Sequence, residues 1–243
     1  MNPLDRPVRR PLLAGALAAA LLLTACGGDD SSDSSDASDV TVPAVECPPA
    51  PSSAPDSTVP DAIPDDYVGS IGPVDLCGNP LPELATDVIA DDSAVGMTAP
   101  TVVGVDFAGD PVRIDPAQDG ATMVVFLAHW CPHCNAEIPV LNELRDAGRL
   151  PDDLNIVAVS TAPNANGSNF PPGDWLVDMD WQWPAIADGV DIDEGSFLTA
   201  EAYGVSGFPF VVLVDGEGKV AARWSGESTA DETIDRIATH LPA

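Results

Sequence analysis

Positive charge is scarce in this chain. Nine Lys and Arg stand against 39 Asp and Glu, a formal net charge of −30. Nothing between Pro11 and Val112 is Lys or Arg. Such a surface repels phosphate backbones and anionic headgroups, which excludes DNA and RNA as partners. Internal repeats, a phosphate-cradling Gly loop and an HExxH metal motif are also missing, so nothing points to a repeat array, a nucleotide site or a zinc peptidase. The apolar stretch Leu12 to Leu23 is too short for a comfortable membrane span. The segment from Gly27 to about Asp66 lacks aromatics and consists largely of Asp, Ser, Pro and Ala. It cannot bury a core and is expected to be a disordered tether. Some 40 residues of this kind span roughly 30–40 Å, and more under self-repulsion.

What is present at the N-terminus reads as an export signal. Arg6, Arg9 and Arg10 form a basic start, followed by the apolar stretch and then Leu23-Thr24-Ala25-Cys26. Small residues before the cysteine and an abrupt polar shift after it predict cleavage there. The expected division is a leader over 1–25, a tether over 26–66, an extension over 67–95 and the main domain over 96–243. A short helix is expected over Glu83 to Ala90, within an extension too small to fold alone.

The chemistry concentrates at Trp130-Cys131-Pro132-His133-Cys134. Before it runs an apolar strand, Met123 to Ala128. After it, Asn135 to Leu144 reads as an amphipathic helix. The first thiol therefore lies at a helix N-terminus, where free N–H groups and the macrodipole favour a thiolate. A Cys-x-x-Cys is half a zinc site only if a second Cys/His pair stands at ligand spacing, and none does. As a structural staple it removes little unfolded-state entropy. Thiol-disulfide exchange is the reading that uses both cysteines, with Cys131 attacking and Cys134 resolving. No cofactor is then needed beyond the Cys131–Cys134 disulfide itself, and no metal. Of the five cysteines, Cys47 and Cys77 remain once Cys26 is set aside. In an oxidising compartment they are expected to form a structural disulfide worth about 3 kcal/mol for a loop of roughly thirty residues. The alternative is a second relay with the Cys-x-x-Cys.

These residues resemble the thioredoxin superfamily, and within it the TlpA/ResA type of extracytoplasmic thiol-disulfide oxidoreductase. The match begins at Gly96-Met97-Thr98-Ala99-Pro100 and a hairpin from Thr101 to Ile114. It continues through the Cys-x-x-Cys, Glu137-Ile138-Pro139, and Ala202-Tyr203-Gly204-Val205-Ser206-Gly207-Phe208-Pro209. It closes with the strand Phe210 to Val214, the turn Asp215 to Lys219 and a helix from about Thr229. The resemblance implies an α/β thioredoxin-like fold, a central mixed sheet flanked by helices with an N-terminal hairpin. It implies a cis Pro209 beside the cysteines, leaving the backbone of Phe208 to pair with an extended client. Leu23-Thr24-Ala25-Cys26 resembles the bacterial lipobox, which implies lipidation at Cys26 and anchoring to the outer face of the cell membrane. The implied partners are cysteine-bearing client proteins and a membrane redox protein, of the CcdA/DsbD kind for a reductant or a quinone-linked oxidase for an oxidant.

Some positions depart from the family. The buried acid that thioredoxins carry six residues before the first cysteine is Val125 here. Glu137 is the candidate replacement, or else a solvated helix carboxylate. A long insert, Ala162 to Trp183, either covers a peptide-binding face or packs its tryptophans. His129, two residues before Cys131, either tunes the thiolate or is an exposed turn residue, and the latter is expected. Trp130 should shield the pair from solvent, and Pro132 and His133 set its potential. A histidine between the cysteines stabilises a thiolate and makes the couple more oxidising, as in DsbA. Fold type and dipeptide thus point in different directions, and the reading leans to a reductase. The alternatives are a DsbA-like oxidant and a Cu(I) chaperone using the two thiolates, with His240 as a remote third ligand.

Overall fold

The computed structural model describes residues 67–85 and 92–241. The expected leader, Cys26, the tether and Cys47 lie outside the described residues. The strands are β1 (Asp75–Cys77), β2 (Thr101–Val105), β3 (Pro111–Ile114), β4 (Thr122–Leu127), β5 (Asn155–Ser160), β6 (Ala185–Ala187), β7 (Val190–Asp191), β8 (Ser196–Phe197), β9 (Phe210–Val214) and β10 (Val220–Ser225). The helices are α1 (Pro116–Asp119), α2 (Pro132–Asp146), α3 (Pro172–Asp178), α4 (Leu198–Ala202) and α5 (Ala230–His240).

The central sheet has the order β10-β9-β4-β5-β6. Strands β4, β5 and β6 run parallel, with α2 and α3 as their crossovers, and β9 and β10 are antiparallel. Both β4 and β9 are buried along their whole length, which explains their unbroken apolar sequences: a strand covered on both faces needs no polar alternation. Along β4 the pleat divides the core. Val124 and Phe126 point toward a cluster that includes Ile114, Tyr203 and Phe210. Met123, Val125 and Leu127 point toward α2, Trp175 and Ile237. This is the expected thioredoxin-like α/β architecture with a mixed central sheet. The last helix begins at a capping box, Thr229 with Glu232, which satisfies orphan N–H groups reciprocally.

The extension contributes β1, which pairs antiparallel with β2 so that Leu76 faces Val102 and Cys77 faces Thr101. Cys77 is disulfide-bonded; its expected partner Cys47 lies outside the described residues. The helix expected from Glu83 does not begin there. Glu83 to Ala85 are non-helical, and residues 86–91 lie outside the described residues. The segment is instead docked through its backbone: Leu81 and Leu84 donate to the carbonyls of Ala202 and Gly204 at 2.8 and 3.0 Å. Those N–H groups are thereby satisfied by the main domain. Arg223, buried and paired with Asp92, donates to the carbonyl of Pro82 at 2.9 Å.

Gly204 makes this docking possible. Its φ is +66°, and a Cβ there would collide with the Pro82 carbonyl. Gly204→Ala is therefore expected to cost about 2–3 kcal/mol, read as a lower urea midpoint. An unchanged midpoint would contradict the tight docking.

Candidate active site

β4 ends at Leu127, and a turn through Ala128, His129 and Trp130 leads into α2. Cys131 is the N-cap of α2 and Pro132 follows inside its first turn, where a missing N–H costs nothing. The helix turn then carries Cys134 inward. Cys131 is 6% exposed and Cys134 is fully buried; both are free thiols. The Cys131 Sγ donates to the Phe208 carbonyl at 3.4 Å. The Ala128 N–H donates to the Cys134 Sγ at 3.4 Å. Burial pushes the Cys134 thiol well above its ordinary range, with the carboxylate of Glu137 acting in the same direction.

Phe208, whose carbonyl meets the Cys131 sulfur, is joined to Pro209 by a cis peptide bond. Trp130 meets the Phe208 ring edge-on, with centroids 6.1 Å apart. It remains 38% exposed, and its Nε1–H donates to the Ala162 carbonyl at 2.7 Å. His133 is exposed, and its Nδ1 lies 3.4 Å from Glu227. Glu137 is completely buried, which decides against the solvated-carboxylate alternative. It lies one turn beyond Cys134 on the same face of α2. The Ser228 N–H donates to one of its oxygens at 2.7 Å, and the other has no partner. Burial pushes its carboxyl up to about 7, partly offset by the Ser228 amide.

His129 is not the exposed turn residue expected from sequence. It is fully buried because the insert closes over it. The Asn164 N–H donates to its Nε2 at 3.0 Å, which leaves Nδ1 to donate to the Ser168 carbonyl at 2.6 Å. That pattern requires a neutral ring, and burial, by lowering the imidazole pKa, favours it. The insert tryptophans pack: Trp175 is buried, and Trp181 and Trp183 lie against the α2 side of the core.

A hub that sequence reasoning missed joins the insert to the site. Asn135, four residues after Cys131, donates to the Cys131 carbonyl at 2.8 Å. Its Oδ1 accepts from the Trp175 indole at 3.0 Å and from Asn169 at 3.1 Å. Asn169 also donates to the His129 carbonyl at 2.9 Å. Only the i+4 spacing from Cys131 hinted at it. Asn135→Ala is expected to slow exchange about tenfold or more by loosening the helix turn that carries Cys131. Faster amide exchange over residues 162–171 should accompany it; protection equal to wild type would contradict the hub.

Among the described residues no group of three or more His, Cys, Asp or Glu could hold a metal. His240 ends α5 and lines a cavity with Asp153, Asp215 and Glu217. Two buried thiols, with a buried carboxylate one helical turn beyond the second, can exchange disulfides and move the proton this requires.

Comparison with known proteins agrees with this chemistry. The Redoxin family model matches residues 94–241. The thiol-disulfide oxidoreductase ResA of Bacillus thuringiensis (strain Al Hakam) is 27% identical over 146 residues, covering 57% of this chain and 73% of that protein. ResA of Geobacillus thermodenitrificans is 29% identical over 150 residues, 61% of this chain and 79% of that protein. The methylamine utilization protein MauD of Paracoccus denitrificans is 28% identical over 147 residues, 60% of this chain and 64% of that protein. A solved DsbF homologue from Corynebacterium diphtheriae shares 21% identity over 64% of this chain and 93% of that chain, with a TM-score of 0.49. With well over half of its length matched by the family model, this chain belongs to the Redoxin family, as a thiol-disulfide oxidoreductase of thioredoxin-like fold.

Proposed function

We propose that the protein reduces disulfides in client proteins outside the cytoplasm, held at the membrane by lipid on Cys26. The Cys131 thiolate attacks a client disulfide, forming a mixed disulfide and releasing one client thiolate. Cys134 passes its proton to Glu137 and attacks the Cys131 sulfur. The second client thiolate leaves, taking up a proton from solvent, and Cys131–Cys134 remains as a disulfide. Two electrons have moved to the client, and a membrane donor of the CcdA/DsbD kind restores the dithiol. Phe208 offers its backbone to the client beside the cis proline, and Trp130 covers the sulfur pair.

The observation that carries the exchange mechanism is the buried Glu137 behind the buried Cys134. A thiol so far from solvent needs an internal acceptor before it can resolve anything, and a carboxyl near 7 suits neutral pH. The reductive direction is supported by what faces Cys131. A strong oxidant of the DsbA type owes its potential to a stabilised reduced form. Here the sulfur's backbone partner is a carbonyl oxygen, and the His133 ring is turned to Glu227.

The test compares two assays on the soluble domain. With dithiothreitol as donor, reduction of insulin disulfides should outrun oxidation of reduced ribonuclease by the preformed Cys131–Cys134 disulfide. Faster ribonuclease oxidation would overturn the reductive reading. Stoichiometric Cu(I) binding without activity in either assay would favour the chaperone.

A further inference from the structure

The loop joining β10 to α5 touches three parts of the active site within three residues. The Gly226 N–H donates to the carbonyl of Pro209 at 2.8 Å. The Glu227 carboxylate lies 3.4 Å from Nδ1 of His133. The Ser228 N–H donates to Glu137 at 2.7 Å. Gly226 has φ +93°, a conformation glycine adopts without strain, and it turns the loop into this position. From the far side Arg236 donates to the Ser228 hydroxyl at 2.6 Å and lies over the Trp224 ring, 4.7 Å from its centroid. The loop is thus anchored to the helix that follows it.

Glu227 is the loop's charged residue, and it stands between two groups that matter. On one side is the histidine of the Cys-Pro-His-Cys dipeptide. An imidazolium aimed at the Cys131 sulfur would stabilise the reduced form and make the couple oxidising. On the other side is the buried acid, which a neighbouring negative charge makes harder to ionise. Glu227 and Glu232 both act on Glu137 in this way, against Arg236.

We propose that Glu227 is a positioning residue for the exchange reaction, resting on the reductive reading above. It holds the His133 ring away from the Cys131 sulfur and thereby biases a Cys-Pro-His-Cys couple toward reducing its clients. The dipeptide and the fold type then no longer conflict, because the histidine's influence is intercepted by a carboxylate from another element.

The experiment is a thermodynamic cycle on the soluble domain equilibrated with glutathione. It is run at mildly acidic pH, which favours the charged form of imidazole. The variants are wild type, Glu227→Ala, His133→Ala and the double variant. Glu227→Ala is expected to shift the equilibrium about three- to fivefold toward the dithiol, the size of an exposed ion pair. At 29.6 mV per tenfold, that is about 15–20 mV more oxidising. In the His133→Ala background the shift should fall to less than half. No shift, a shift toward the disulfide, or an equal shift in both backgrounds would overturn the proposal. Glu227→Gln adds a second readout: the neutral-pH limb of the exchange rate should move to lower pH as Glu137 loses its charged neighbour. An unmoved limb contradicts that half of the role. Failure of wild type to equilibrate reversibly with glutathione would instead overturn the oxidoreductase reading itself.

Discussion

Cys131→Ser is expected to bring disulfide exchange to background, while Cys134→Ala captures clients as a stable mixed disulfide. The asymmetry follows from position. Cys131 caps α2 and keeps a sliver of its surface open beside Phe208, whereas Cys134 is sealed in the α2-side core. Only Cys131 can meet a client sulfur, and serine at that position is no substitute because the attacking species is the thiolate. Removing Cys134 leaves the first step intact and deletes the second, so the covalent intermediate accumulates. Non-reducing gels of the alanine variant incubated with a disulfide-bonded client check this directly. Cys131→Ser with retained activity, or an alanine variant that captures nothing, would reverse the assigned roles.

Glu137→Gln is expected to separate activity from stability. Glutamine fills the same space and still accepts from the Ser228 amide, but it cannot take a proton from Cys134. Exchange should slow about 100-fold, the usual contribution of a positioned proton acceptor. The wild-type rate should rise with pH through about 7, where Glu137 becomes ionised, and the variant should lose that limb. Stability moves the other way. Burial raises the folded-state carboxyl from 4.5 to about 7, so the native state holds this proton after the unfolded chain has released it. The contribution is fully present below about pH 4.5 and disappears as pH rises to about 7. Its size is about 3 kcal/mol by linkage. Urea titrations at pH 4.5 and 8 should therefore show wild type losing stability relative to Glu137→Gln. Parallel pH dependence of the two proteins would contradict the buried, proton-holding carboxyl.

The pattern of what was legible in the sequence is physical. Strand β4 is read from its apolar run because both faces are covered, and α2 from its periodicity, whereas β9 and α5 are expected only through the family resemblance. Strand β1 is not legible: Asp75-Leu76-Cys77 has no strand signal of its own and owes its pairing to β2. His129 looks like a turn residue until the insert, some forty positions on, closes over it. Asn135 and Trp175 meet across forty residues, a distance at which no local pattern operates. Glu137 shares a helix face with Cys134, yet periodicity cannot say whether a carboxylate on that face is buried. Glu227 is half exposed and carries no motif, and only the fold brings it to His133.

The measurement closest to the central claim is the equilibrium reduction potential of the Cys131–Cys134 couple. It is read by tryptophan fluorescence against dithiothreitol and glutathione buffers, with thiol trapping as a check. The account predicts one reversible two-electron transition nearer to thioredoxin's value, about −270 mV, than to DsbA's, about −120 mV. A potential at the DsbA end would contradict the reductive direction, and the absence of any reversible transition would contradict thiol-disulfide exchange at this site.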